Sequence, residues 1–385
     1  MTETIKAAII GAGILGSQHA ATLQAHPDAT LLAVADVRLD AAERLAAVYG
    51  VQAYDDYVEM LRRQHPDLVI VATPDALHRE PVIAALEAGT PCVIQEKPLA
   101  TTRQDAEAIY EAVEKRGARL FVNYANRAAP LDLATYYTIQ KGLLGRPVYG
   151  ESRLDDNISV PTRMWGPRTR DWTAGSSTAH FLLSHVVDLL HWYFSPARVS
   201  EVYAIAQRRV LGYTPDLYDA FLTFDSGIQV RIKAEWIKRM DELVEFYLCF
   251  SGDKGTLIYN KRAGFGTSPG WRANIDSTIP LDQLVAHQHA LVSRGIHVDA
   301  LLHQASPETA GGDAPLPALE FRGMPEDRPQ ALVEHFIAAI RQDTLQPSTW
   351  QDWGPLPTHQ DGLAQTLVVT AIEESAQSGR VIDLR

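Results

Sequence analysis

The sequence predicts an α/β chain: an N-terminal doubly wound parallel sheet, then an α+β region built on a mostly antiparallel open sheet. Three observations predict it. Over residues 1–125, short apolar runs alternate with helical stretches closed by glycine. The first apolar run ends in Gly11-x-Gly13-x-x-Gly16 and leads straight into a helix-forming segment. Beyond residue 130 the pattern shifts to period-two alternation, clearest in Ile228, Val230, Ile232, Ala234 and Trp236 against Gln229, Arg231, Lys233 and Glu235.

In the first region, strands are predicted at 5–10, 31–35, 68–72, 91–95 and 119–122. They are apolar throughout, as strands covered on both faces must be. Helices are predicted at 14–24, 39–49, 55–64, 77–88 and 103–116. Gly50, Gly89 and Gly117 stand where helices stop in the left-handed conformation.

The glycine cluster has a chemical reading. Gly11 permits a tight turn out of the strand, Gly13 lets a pyrophosphate approach the backbone, and Gly16 lets the helix pack on the strand. Ile14 and Leu15 begin that helix, whose free N–H groups and positive dipole end suit phosphate. Asp36 ends the second apolar run and is placed to accept hydrogen bonds from a ribose. The pattern is that of a Rossmann dinucleotide-binding unit. A carboxylate at 36 favours NAD, while Arg38 offers the 2′-phosphate of NADP a partner. In such sheets ligands bind beyond the carboxyl ends of the strands. Thr73, Pro74 and His78, then Glu96 and Lys97, then Asn126 with Asn123 and Arg127, follow successive strands and are expected at that crevice.

In the second region a helix over 130–141 stops at Gly142, and strands are predicted at 148–154, 199–208, 218–224, 227–237, 244–250 and 256–259. An apolar helix covers 178–194. Residues 155–175 read as a loop, and 261–325 as loop-rich with no assigned element. Helices at 329–342 and 360–377 precede a strand at 381–384. The division expected is 1–125 for dinucleotide binding and 126–385 for substrate binding and oligomerisation, with the C-terminal helices able to pack back on the first domain.

Composition narrows the class. A net charge of −12 argues against nucleic acid or an anionic membrane as partner. The two cysteines, Cys92 and Cys249, lie far apart without metal-ligand spacing, so neither a disulfide framework nor a metal site is expected. No signal-peptide pattern and no apolar run of ~20 residues is present, and a cytoplasmic protein is expected.

Four motifs in order now carry a resemblance: Gly11-x-Gly13-x-x-Gly16-x-x-His19, Thr73-Pro74 with His78, Glu96-Lys97-Pro98, and Ser184-His185-Val186-Val187-Asp188. Together they resemble the glucose–fructose oxidoreductase/inositol dehydrogenase (Gfo/Idh/MocA) family over nearly the whole chain. Gly252-Asp253-Lys254-Gly255 and Ser375-Ala376-x-Ser378-Gly379-Arg380 add to it. The resemblance implies NAD(P)-dependent hydride transfer at a carbinol carbon of a sugar, cyclitol or related polyol. It also implies oligomerisation, as a dimer or tetramer, through the open sheet. It carries Lys97 and His185 over to the reacting hydroxyl. One departure is clear: the family's acid four residues before the histidine is Phe181 here, the glycine two before it is Leu183, and the glycine run is Gly175-Ser176-Ser177.

The residues can be weighed on their own chemistry. Oxidising an alcohol requires a group that accepts the hydroxyl proton. Lys97, on a turn before Pro98, reads either as that group or as a surface lysine paired with Glu96. His185 and Asp188 are three apart and share a helix face. They read either as a proton relay, with Asp188 polarising the imidazole, or as a buried packing pair. Arg163 and Trp165, in a stretch that also holds Asp155, Asp156, Asn157, Arg168, Arg170 and Trp172, are expected to contact substrate. Two other classes stay open: a redox-neutral NAD-using glycosidase or lyase, and a dinucleotide-sensing regulator without catalysis.

Overall fold

The computed structural model describes residues 4–262, 270–302, 317–321, 325–326, 328 and 330–385. The chain divides into two compact units, residues 1–125 with 328–370, and 126–327 with 371–385.

The first unit alternates strand and helix: β1 (Ile5–Ile10), α1 (Ile14–Ala25), β2 (Ala29–Ala35), α2 (Leu39–Tyr49), β3 (Gln52–Tyr54), α3 (Tyr57–Gln64), β4 (Leu68–Val71), α4 (Arg79–Glu87), β5 (Cys92–Glu96), α5 (Arg103–Arg116) and β6 (Arg119–Asn123). Among the described residues these strands form one parallel sheet in the order β3-β2-β1-β4-β5-β6. The order reverses between β1 and β4, which puts a ligand crevice at their carboxyl ends. The core follows from the apolar runs: Ala8, Ile10, Val69, Val71, Val93 and Val122 are at most 2% exposed. Gly50, Gly89 and Gly117 all take positive φ at helix ends, as their positions predicted. The edge strand β3 lay outside the sequence assignment because Gln-Ala-Tyr is too short and mixed to show a period.

The second unit opens with α6 (Pro130–Gln140), which starts at a proline suited to a first helical position. There follow β7 (Pro147–Asn157), α7 (Ser159–Arg163), α8 (Thr169–Ala174) and α9 (Ser184–Tyr193). Next come β8 (Val199–Gln207), β9 (Leu217–Phe224), β10 (Gln229–Lys238), β11 (Val244–Gly252), β12 (Gly255–Arg262), β13 (Gly270–Ile275), α10 (Leu281–Val292), β14 (Asp299–Leu302) and β15 (Pro317–Glu320). The chain then contributes α11 (Ala331–Gln342) to the first unit. It ends with α12 (His359–Ser378), which passes from the first unit to the second, and β16 (Ile382–Asp383).

The second sheet runs β14-β15-β13-β12-β11-β7-β10-β9-β8-β16 among the described residues. It is antiparallel except where β10 lies parallel to β7. The alternation read in β10 holds: Val230, Ile232, Ala234 and Trp236 are fully buried. The other face carries Arg231 beside Phe221, which in turn faces Tyr203. Tyr149, Tyr203, Ile205, Phe221 and Ile258 are exposed on it.

Two expectations need correction. Residues 155–175 are not a loop, since β7 continues to Asn157 and two short helices follow. The charges that suggested a loop are buried: Asp155 is fully covered and pairs with Lys233 at 3.1 Å and Lys238 at 2.7 Å. Burial raises the Asp155 carboxyl above its ordinary value against the pull of those lysines. The span 261–325 holds β13, α10, β14 and β15. The strands are short, the elements are spaced by stretches without periodicity, and residues 263–269, 303–316 and 322–324 lie outside the described residues.

Residues 328–370 belong with the first unit rather than with 126–327. Phe336 of α11 stacks on Phe121 at 4.8 Å between ring centroids. Gly362 of α12 lies so close to Leu99 and Val122 that a Cβ there would meet Leu99 at 2.9 Å.

Candidate functional site

In the first unit the glycine turn has the geometry of a phosphate cradle. Gly11 takes φ +106°, and a side chain there would strike the Ala72 carbonyl at 2.4 Å. Gly16 has no room for a Cβ, which would lie 1.9 Å from the Gly11 oxygen. Gly13 is different, since a Cβ there would meet nothing within 4 Å. It is exposed and starts α1 with no side-chain cap and no acid in the first turn. The α1 N-terminus at Ile14 and Leu15 is thus open to an anion. Asp36 is tied to this turn: its carboxylate accepts from the Ala12 N–H at 2.9 Å and from the Arg38 N–H at 2.9 Å. Arg38 Nε lies 3.5 Å from the same carboxylate. A carboxylate has about four acceptor sites, so capacity for a ribose remains. These residues fit a dinucleotide: room at Gly13, a helix end, and an acid held beside both.

The Glu96-Lys97-Pro98 turn is fixed from behind. Glu96 is buried and accepts from His19 Nε2 at 2.7 Å and from the Asn123 amide at 2.9 Å. Burial alone would raise its carboxyl, but the hydrogen bond and charge of His19, the Asn123 amide and the Lys97 charge hold it below its ordinary value. His78 is buried, with Nδ1 2.8 Å from the Pro98 carbonyl and Nε2 3.0 Å from the Thr73 carbonyl. Both residues were expected at the cofactor. Their polar atoms instead brace the turn that carries Lys97, itself 9% exposed. Thr73 caps the turn after β4 by donating to the Leu77 carbonyl at 2.9 Å, and Pro74 is exposed beside it.

In the second unit the chain entering α9 makes a wide π-type turn over Ala179–Leu183 before His185. Such turns often mark functional sites. His185 is half-buried. Its Nδ1 lies 3.3 Å from the Asn126 amide nitrogen, and the Asn126 oxygen accepts from Lys261 Nζ at 2.9 Å. Lys261 also pairs with Asp132 at 2.9 Å, and the other Asp132 oxygen accepts from Tyr193 at 2.7 Å and Tyr259 at 2.6 Å.

Asp188 was expected to hold the imidazole. Both of its carboxylate oxygens instead accept from Arg127, at 2.9 and 2.6 Å, and both side chains are buried. Spacing along the helix placed Asp188 beside His185, but the fold supplies Arg127 to it. Asn126, expected at the cofactor, reaches the His185 ring. Lys261 and Asp132 were missed: Lys261 falls in the stretch with no assigned element, and Asp132 stands in the first turn of α6, where an acid is ordinary.

Phe181 joins an aromatic group. Trp172 packs edge-on to Phe181 at 4.7 Å, with Trp165 at 5.5 Å and Trp236 at 5.6 Å from Trp172. Trp165 is half-buried in this group, whereas Arg163 is exposed. The nearby buried histidine, His180, pairs with Glu373 at 3.2 Å, and Ser177 donates to Glu373 at 2.7 Å. A groove of about 530 Å³ lined by Ala21, Thr22, Ala25, His26, Pro27 and Glu334 includes none of the expected site residues. No His, Cys, Asp and Glu cluster able to hold a metal occurs among the described residues, and both cysteines are free. No helix among them is long and apolar enough to cross a membrane.

Residues 5–124 match the model described as "Oxidoreductase family, NAD-binding Rossmann fold", and residues 136–258 match the GFO/IDH/MocA C-terminal domain. The chain belongs to the GFO/IDH/MocA family. Its N-terminal unit carries that family's NAD-binding Rossmann fold. Inositol 2-dehydrogenase of Acidothermus cellulolyticus is 32% identical over 223 residues, 57% of this chain and 62% of that one. D-glucoside 3-dehydrogenase of Escherichia coli is 30% identical over 54% of this chain and 59% of its own. The chain thus matches less than two thirds of the length of these curated relatives. Levoglucosan dehydrogenase in complex with NADH has the same fold at 21% identity, with TM-score 0.76 and all of both chains covered. The WlbA dehydrogenase of Bordetella pertussis, solved with NADH and UDP-GlcNAcA, is alike at TM-score 0.74 and 21% identity, covering 100% of this chain and 99% of that one.

Proposed function

We propose that the protein is an NAD-dependent dehydrogenase that oxidises a secondary alcohol of a sugar, cyclitol or related polyol. The observation that carries this reading is the open glycine turn with Asp36 tied to it, in a chain of a family whose first domain is described as NAD-binding. NAD, when bound, accepts the hydride from the carbinol carbon. Gly13 and the α1 N-terminus hold the pyrophosphate. Asp36 holds the ribose and disfavours a 2′-phosphate.

Lys97 and His185 serve the reacting hydroxyl. As the C–H bond gives up its hydride, the O–H proton passes to a protein group, leaving the carbonyl product. Glu96, His19, Asn123 and His78 fix the turn from which Lys97 acts. The aromatic group of Trp165, Trp172 and Phe181, together with Arg163, suits the apolar and hydroxyl faces of a sugar. The inositol and glucoside names of the relatives support that substrate class. A homodimer or homotetramer formed through the exposed sheet face, and a cytoplasmic location, complete the reading. Tyr149, Tyr203 and Phe221 on that face support the first, and the two free cysteines support the second.

The test is turnover. Lys97→Met and His185→Ala should each lower the rate of NADH formation by about 10² or more, the scale of losing a proton-transfer group or a hydrogen-bond donor at the reacting oxygen. NAD affinity should stay near that of the parent. Near-normal rates in both variants refute the assignment.

A further inference from the structure

The hydrogen bonds around His185 fix which of its ring nitrogens bears the proton. Lys261 Nζ is the start of the argument. It is buried, 2.9 Å from the Asp132 carboxylate and 2.9 Å from one end of the Asn126 amide. An ammonium has three donors and no acceptor, so the amide end facing it must be the oxygen. Asp132 pairs with Lys261 and is itself held by two phenols. Burial first, and the Asp132 charge next, push the Tyr193 phenol well above its ordinary range, so it remains a donor.

With its oxygen committed to Lys261, Asn126 can turn only its NH₂ group toward His185. That group lies 3.3 Å from Nδ1. A donor facing Nδ1 requires Nδ1 to carry a lone pair. The alternatives, a ring protonated on Nδ1 or on both nitrogens, set two N–H groups against each other. Turning the amide over would set its NH₂ against the Lys261 ammonium.

We infer that Asn126 and Lys261 are positioning residues that hold His185 neutral, with its proton on Nε2. The consequence rests on the dehydrogenase reading above. A ring in this state offers the substrate oxygen a hydrogen bond and does not take its proton. It stabilises the oxygen as negative charge develops there and polarises the carbonyl in the reverse direction. The hydroxyl proton then passes to Lys97, which enters this step as the free amine and regains the ammonium form as the hydride leaves for NAD. Charge and protons balance with no other acceptor.

Nitrogen-15 NMR of the imidazole rings tests this directly on the whole protein at neutral pH, with His185→Gln identifying the His185 signals. The expected spectrum has an unprotonated Nδ1 and a protonated Nε2. Asn126→Asp, nearly isosteric and still able to pair with Lys261, puts an acceptor at Nδ1. It should reverse the tautomer and lower kcat by about tenfold or more with a smaller change in KM, the scale of one misplaced hydrogen bond. Lys261→Met frees the amide to turn and should give a mixture. A parent ring protonated on Nδ1 or on both nitrogens overturns the inference, as does an Asn126→Asp ring unchanged from the parent. The ring state is read without substrate, so an absence of dehydrogenase activity would leave it standing. Equally, a wrong tautomer would sink it in an active dehydrogenase.

Discussion

Gly13→Ala and Gly16→Ala are both one-methyl changes in the same turn, yet the structure predicts opposite signatures. At Gly16 the new Cβ would sit 1.9 Å from the Gly11 oxygen and 2.9 Å from its carbon. The backbone must shift by about an ångström, and overpacking of this kind costs about 1–3 kcal/mol or more. For a unit of this size that lowers Tm by roughly 3–10 °C. At Gly13 the backbone has φ −79° and ψ −162°, open to any residue, and the Cβ meets nothing in the protein. The loss of a glycine N-cap and the gain from a less flexible unfolded chain nearly offset, so stability should change by under about 1 kcal/mol. The methyl instead occupies the space proposed for the pyrophosphate. Losing charge-assisted hydrogen bonds there costs about 1.5–3 kcal/mol, roughly 10- to 150-fold in Kd. Thermal melts without ligand and calorimetric titration with NAD separate the two effects. If Gly13→Ala binds NAD like the parent, or melts as low as Gly16→Ala, the cradle is misplaced.

Further predictions follow from other sites. NAD should bind at least about tenfold more tightly than NADP, on the order of 1.4 kcal/mol, and Asp36→Ser should narrow the gap; tighter NADP binding by the parent would refute the role of Asp36. Asp188→Ala should cost about 3–5 kcal/mol in urea unfolding, because it strands buried Arg127; a near-neutral change would mean the pair is not structural. Burial, with the Lys141 charge adding to it, pushes the His287 imidazole down to about 4 from 6.5. The unfolded chain therefore takes up that proton first, and stability should fall as pH drops from 6.5 toward 4, by up to about 3 kcal/mol, with no contribution above. His287→Gln should flatten that limb of the pH profile. Phe221→Glu on the exposed sheet face should lower the mass seen by light scattering if that face joins subunits, and a monomeric parent would remove the oligomer proposal.

The first unit was legible because its signals are local. Apolar runs, helix-closing glycines and Gly11-x-Gly13-x-x-Gly16 each act within a few residues, and only the mixed three-residue β3 escaped. The second unit was legible where one sheet face is buried, as in β10. It was obscured where charge is buried in pairs: Asp155 looked like loop until Lys233 and Lys238 met it from a neighbouring strand. The site divides in the same way. Lys97 and His185, the residues proposed for the reacting hydroxyl, stand in contiguous motifs that are legible in the sequence. Other partners in the second unit meet from far along the chain. Arg127 reaches Asp188 across 61 residues, and Lys261 reaches Asn126 across 135. Helical spacing offered Asp188 to His185, and only tertiary structure could show Arg127 taking it. No short-range pattern marks Lys261, since a lone lysine in an aperiodic stretch reads as surface.

The most direct test is to supply the protein with NAD and a panel of cyclitols, free sugars and glycosides, following NADH by its absorbance and the product by mass spectrometry. The account predicts that at least one substrate yields NADH and a ketone in equal amounts, and that Lys97→Met abolishes both. Product formed without NADH would reveal redox-neutral chemistry. Tight NAD binding with no turnover of any substrate would contradict the dehydrogenase outright.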